Sequence, residues 1–160
     1  EYGLVLAAGS PDEEGIGNEV AALIAELQST RSNVWWVKEM LPHDQLTAML
    51  TAADLFICPS IYEPLGIVNL EAMGCETAVL GSRVGGIPEV VADKETGELV
   101  DYNGEAAPFE KALAESITRL MSQPELLKKY GAAGRVRAQK LFGWDAVAAL
   151  TVDLYRKVIG

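Results

Sequence analysis

Apolar residues along this chain fall into short unbroken runs, separated by stretches in which they recur every three or four positions. Tyr2–Ala7 is the first run, ended by the turn residues Ala8-Gly9-Ser10-Pro11; Asn18–Gln28 follows with Val20, Leu23, Ile24 and Leu27 at helical spacing. Asn33–Lys38 is the next strand, and Pro42–Ala53, opened by proline and carrying Leu46, Met49 and Leu50, the next helix. The alternation continues through strand Asp54–Cys58, helix Gly66–Gly74, strand Thr77–Ser82, a short helix near Pro88 and strand Gly97–Asp101. From Pro108 the pattern is helical throughout, as Phe109–Met121, Glu125–Leu141 after Gln123-Pro124, and Trp144–Ile159. Apolar strands separated by amphipathic helices predict a parallel sheet covered on both faces, because crossovers between parallel strands place helices there. The fold class is therefore α/β, a doubly wound parallel sheet with additional C-terminal helices. No repeat, linker or low-complexity stretch interrupts residues 1–160, which read as a single domain.

Composition narrows the chemistry. With 160 residues, 49% of them apolar, the chain can bury a sizeable core. Its formal charge of −10 disfavours nucleic acid, whose binders need clustered Lys and Arg to displace counterions. A bound diphosphate is still compatible, since a few backbone N–H groups suffice to hold one. No apolar run approaches the roughly 20 residues of a membrane span, and the start of the chain lacks a basic region followed by an apolar one, so no membrane span and a cytoplasmic location are expected. His43 is the single histidine, which leaves neither a His-based metal site nor a Ser-His-Asp triad within these residues. Cys58 and Cys75 lack metal-ligand spacing and read as small core residues rather than a disulfide. Asp12-Glu13-Glu14 has no D-x-D pattern and reads as a solvated acidic loop. Trp35 and Trp36 point to opposite faces of their strand and read as core residues under flanking helices.

In doubly wound sheets ligands sit outside the carboxyl ends of the strands. After strand Asp54–Cys58 comes a loop with Glu63, then Pro64-Leu65-Gly66, then a helix containing Glu71. A helix N-terminus presents unpaired N–H groups and partial positive charge, and Gly66 lets a ligand approach the backbone, so this turn suits a sugar diphosphate. Glu63 offers acceptor oxygens to sugar hydroxyls and Glu71 to a ribose. On spacing alone, a solvated loop carboxylate and an ordinary helix glutamate are the favoured account of the two residues. The loop Arg83-Val84-Gly85-Gly86-Ile87-Pro88-Glu89 carries a Gly-Gly pair that permits either close ligand approach or only a tight turn.

Taken together, Ala52–Ser60 (A-A-D-L-F-I-C-P-S), Glu63–Cys75 (E-P-L-G-I-V-N-L-E-A-M-G-C), Val84–Val91 (V-G-G-I-P-E-V-V), Thr96–Val100 (T-G-E-L-V) and the closing F-G-W and L-Y-R-K-V-I resemble a known family over nearly the whole chain. It is the C-terminal, donor-binding domain of GT-B retaining glycosyltransferases of family 4, group 1, which includes glycogen synthases and sucrose-phosphate synthases; E-P-L-G-I-V-N-L-E-A-M most resembles the actinobacterial type of glycogen synthase. The resemblance implies the Rossmann-like half of a GT-B fold, with a nucleoside diphosphate sugar as substrate and no metal or other cofactor. By position it places Glu63, as the catalytic residue, against the transferring sugar, the Leu65-Gly66-Ile67 backbone at sugar hydroxyls and phosphate, and Glu71 on the ribose. Glu39, Met40 and Leu41 would lie at the nucleobase, and Gly85, Gly86 and Glu89 in a supporting loop of the donor site. Glu76 departs from the family, where a small residue, commonly Gly, follows the cysteine.

The implied reaction is transfer of a hexose, glucose from ADP- or UDP-glucose, to an acceptor hydroxyl with retention. A growing α-glucan is the expected acceptor, as in glycogen biosynthesis, with sucrose-phosphate synthesis the alternative. Other readings of the same fold are an epimerase, a phosphorylase, for which no pyridoxal phosphate lysine motif is present, and a non-catalytic nucleotide-sugar-binding module. The family's domain opens with a further strand-helix unit, whose Arg and Lys neutralise the departing diphosphate, and an N-terminal domain holds the acceptor. The sequence is expected to start after both and to be inactive alone. Without that strand, Tyr2–Ala7 and Asp54–Cys58 are expected to pair directly, giving the strand order 2-1-3-4-5.

Overall fold

The computed structural model describes residues 2–9, 11 and 13–159; Ser10 of the first turn and Asp12 of the acidic loop lie outside the described residues. The chain divides into two compact units, Glu1–His43 and Asp44–Gly160.

The first unit is one β-α-β crossover of β1 (Leu4–Ala7), α1 (Glu14–Thr30) and β2 (Val34–Val37). The strands pair in parallel from Leu4 opposite Val34 to Ala7 opposite Val37. Ile24 of α1 and Val34 of β2 are buried. Trp36 donates its indole N–H to Ala8 O at 3.1 Å, and Lys38 Nζ stands 4.2 Å from the centre of the Trp36 ring. Trp35 corrects the sequence reading: it is 53% exposed rather than a core residue. Successive strand residues alternate faces, and a unit with one helix covers one face, that of Val34.

The second unit holds α2 (His43–Ala52), β3 (Leu55–Cys58), α3 (Ile67–Gly74), β4 (Ala78–Ser82), α4 (Ile87–Val90) and β5 (Gly97–Val100), followed by α5 (Ala106–Met121), α6 (Pro124–Arg137) and α7 (Trp144–Ile159). Strand order is β3-β4-β5, all parallel, with Cys58 opposite Gly81 and Ser82 opposite Val100, so the three carboxyl ends lie level along one edge. Every residue of β4 is buried. Its alternation divides the core: Val79 packs with Leu50, Ala72, Met73, Ile87 and Val90 of α2, α3 and α4, whereas Ala78 and Leu80 pack with Phe109, Leu120, Leu127 and Tyr130 of α5 and α6. This is the double winding that the apolar runs predict.

The expected order 2-1-3-4-5 is not formed. Among the described residues, β1 makes its ladder with β2 and β3 makes its ladder with β4, and no ladder joins β1 to β3. The ladders that form are those of neighbouring strands each joined by a single crossover helix.

Glu98 of β5 is 3% exposed and is held by three groups from other elements. Arg119 of α5 donates to both carboxylate oxygens, Lys94 to one, and Tyr130 of α6 lies 3.4 Å from Oε1. Burial pushes the Glu98 carboxyl up, but hydrogen bonds and charge from Arg119 and Lys94 outweigh it and leave the pKa below its ordinary value. Burial, then the Glu98 charge, pushes the Tyr130 hydroxyl above its ordinary value.

At Ala138–Phe142 the sixth helix widens into a π-helical stretch, and α7 then runs with no buried residue. Among the described residues no helix is long and apolar enough to cross a membrane.

Candidate functional site

Two loops leave the carboxyl edge of the second unit side by side, Pro59–Gly66 after β3 and Arg83–Gly86 after β4. The paired register of their strands brings them together, and the buried Ser82 hydroxyl donates to Ser60 O across the gap. Further out, Gly86 N–H donates to Glu63 O at 3.0 Å. The glycine pair is needed for this contact. A Cβ on Gly85, whose φ is +50°, would stand 1.9 Å from Glu63 O, and one on Gly86 would stand 2.4 Å from Pro64 O. The tight-turn reading of Gly85-Gly86 has a physical counterpart, because the turn brings two backbones into contact. Gly85→Ala is expected to destabilise the second unit by about 2 kcal/mol, through strain at positive φ and displacement of the facing loop; urea unfolding of the variant measures it.

Glu63 is half-buried and folds back on its own turn, where its Oε1 accepts the Gly66 N–H at 3.1 Å. Gly66, buried with φ +86°, is the residue before α3, so the Glu63 carboxylate lies near the positive end of the helix. The side chains of Leu65 and Ile67 flank the turn, 37% and 63% exposed, on either side of the buried Gly66. Glu71 lies four residues after Ile67 and hence on the same helix face, partly buried, with no side-chain hydrogen bond or ion pair among the described residues. Glu63, Leu65, Gly66, Ile67, Glu71, Gly85 and Gly86 therefore gather on two adjoining loops and one helix. Glu39, Met40 and Leu41 belong to the first unit, just past β2, where Met40 is 90% exposed.

The charge available at these loops is mostly backbone. Arg83, their one cation, spends its guanidinium on Asp93 at 2.6 Å and Asp101 at 2.7 Å, and those carboxylates raise its already high pKa. An anion at this edge would thus meet the N–H groups at the start of α3 rather than a side-chain cation.

The far end of α3 explains the Glu76 departure. Glu76 N–H donates to Met73 O and Thr77 N–H to Ala72 O, the bond pair of a Schellman turn, with Glu76 at φ +62° where glycine prevails. The helix end tolerates the left-handed glutamate, whose carboxylate stands 3.6 Å from Arg135 Nε.

One residue escaped the sequence reading. Asn69 is fully buried on the inner face of α3 beside Ala72 and Met73, and neither Nδ2 nor Oδ1 has a hydrogen-bond partner among the described residues. Each unsatisfied buried group costs about 1–3 kcal/mol. Its signal in the sequence was an amide three residues after Gly66, on the face otherwise set aside for Ala72 and Met73.

Comparison with known proteins places the fold and the family. The chain is 50% identical over 156 residues to the Mycolicibacterium smegmatis protein named alpha-maltose-1-phosphate synthase, a match covering 97% of this chain and 40% of that protein. The solved sucrose-phosphate synthase of Thermosynechococcus elongatus superposes with a TM-score of 0.80 at 33% identity, over 98% of this chain and 38% of that one. Anabaena HepE, solved in complex with UDP-glucose, superposes with a TM-score of 0.74 at 21% identity over 94% of this chain and 41% of that one, a likeness of fold. The chain thus spans about two fifths of the length of each of these three proteins. Residues 5–137 match the family described as glycosyl transferases group 1, and to that family, with its GT-B architecture, this chain belongs.

Proposed function

We propose that these residues form the donor-binding part of a retaining hexosyltransferase that takes glucose from a nucleoside diphosphate glucose. The observation that carries the reading is the Glu63–Gly66 turn at the start of α3, a carboxylate and a helix N-terminus placed together at the carboxyl edge of a doubly wound sheet. The helix start holds the diphosphate, Glu63 lies against the sugar and Glu71 takes the ribose hydroxyls. Glu39, Met40 and Leu41 contact the nucleobase, and Gly85-Gly86 set the depth of the sugar pocket by bracing the Glu63 loop. Because Arg83 is already paired, cations that neutralise the departing diphosphate come from outside these loops, in the longer enzyme.

For the acceptor, the 50% identity to alpha-maltose-1-phosphate synthase favours a phosphorylated glucose, whose 4-hydroxyl receives the new residue. Elongation of an α-glucan is the second reading, favoured by the resemblance of Glu63–Met73 to glycogen synthases. Calorimetric titration of the intact enzyme with ADP-, UDP- and GDP-glucose, followed by product analysis with glucose 1-phosphate and with glycogen as acceptors, tests both. Absence of binding to every nucleotide sugar would refute the donor-site reading. In the same assay Glu71→Ala is expected to raise the donor KM about tenfold to a hundredfold, the loss of one charge-assisted hydrogen bond of about 1.5–3 kcal/mol. An unchanged donor KM would make Glu71 an ordinary helix residue.

A further inference from the structure

We infer that Asn69 is a positioning residue for Glu63, its buried amide serving as the seat that takes the Glu63 carboxylate when a nucleotide sugar displaces it from Gly66; this rests on the donor-site reading above. As the protein stands, Glu63 Oε1 occupies the Gly66 N–H, one of the helix-start donors that an incoming phosphate needs. A phosphate that takes this N–H leaves the carboxylate without its partner. An unpartnered donor lies close by: a Cβ built on Gly66 would stand 2.5 Å from Asn69 Nδ2 and 3.5 Å from Glu63 Cγ, so both side chains approach the same side of Gly66.

Packing does not explain the amide. Asn69 lies wholly within the inner face of α3, where Ala72 and Met73 join the apolar core, and a leucine would fill such a position without stranding two polar atoms. Unsatisfied buried groups persist where function uses them. With one oxygen on Asn69 Nδ2, the carboxylate keeps its second oxygen for a sugar hydroxyl and is held in one orientation while it does so.

The test uses the full-length enzyme. Asn69→Leu is expected to leave the Tm of the unliganded protein unchanged or higher, to lower kcat about tenfold and to move the donor KM little, since an orientation rather than a binding contact is lost. In a Glu63→Gln background the same substitution is expected to cost nothing further, because the two act as one unit. In wild-type protein labelled at asparagine, the Asn69 side-chain amide protons are expected to shift downfield on saturation with the preferred nucleotide sugar, a readout that depends on no variant folding. An unmoved amide resonance, a wild-type kcat in Asn69→Leu, or an undiminished further loss in the Glu63→Gln background would each overturn the inference. Wild-type enzyme that binds no nucleotide sugar would instead overturn the donor-site reading, and this inference with it.

Discussion

Glu63→Gln in the intact enzyme is expected to lower kcat for sugar transfer by at least about 100-fold, with the affinity for free nucleoside diphosphate nearly unchanged. The substitution isolates charge because glutamine keeps an acceptor oxygen for the Gly66 N–H, so that hydrogen bond and the contact of Glu63 O with Gly86 are both retained. On the proposed donor-site reading, what is removed is a negative charge beside a sugar ring that gains positive character as the diphosphate departs. A fixed group aimed at charge present only in the transition state acts on kcat rather than on ground-state binding. Near-wild-type turnover would show that the carboxylate is not needed for transfer, and parallel collapse of turnover and nucleotide binding would locate the damage in the loop's fold.

Arg119→Met is expected to destabilise the second unit by about 3 kcal/mol at pH 7, the low end of the cost of stranding a buried carboxylate, since Lys94 remains and Arg119 is itself 44% exposed. Methionine replaces the aliphatic stem, so the loss reports the guanidinium. The pH dependence separates charge from packing. In the wild type the depressed pKa of Glu98 means that its ionised form contributes stability fully present above the unfolded-state pKa of about 4.3 and lost as the pH falls through the lower folded value. Removing Arg119 raises the folded pKa, so the gap between variant and wild type is expected to narrow as acid protonates Glu98 in both. Urea midpoints measured from pH 7 downward give the gap directly. A gap that does not change with pH would assign Arg119 to packing alone.

The contrast between Glu63 and Glu98 shows what can be read from the chain. The place of Glu63 at the start of α3 was legible because its hydrogen-bond partner is local, a glycine three residues on that precedes a helical run, whereas its role came from the family resemblance and not from spacing. Glu98 was not, because Arg119 and Tyr130 are 21 and 32 residues further on and meet it only once α5 and α6 cover the sheet. The same distinction runs through the fold. Each strand and helix of the second unit lies within a few residues of its apolar run, and β4, apolar through most of its length, is the buried centre that such a run predicts. Pairing between β1 and β3 failed because alternation specifies a strand's faces but not which edge finds a partner. Trp35 failed for a related reason, since apolar character does not say that a cover is present. Asn69 is a polar residue at a core position, and local rules that place polar groups outside pass over it.

The touching backbones of the two loops also divide this edge of the protein into positions that can and cannot be varied by directed evolution. Randomising Gly85, Gly86 or Gly66 would fill a library with misfolded members, because any side chain at the first two meets carbonyl oxygens of the Glu63 loop and any at the third meets Asn69. Leu65, Ile67 and Val68 carry exposed side chains on the same turn, so they accept diversity without that penalty, and a productive library would be small, dense and confined to them.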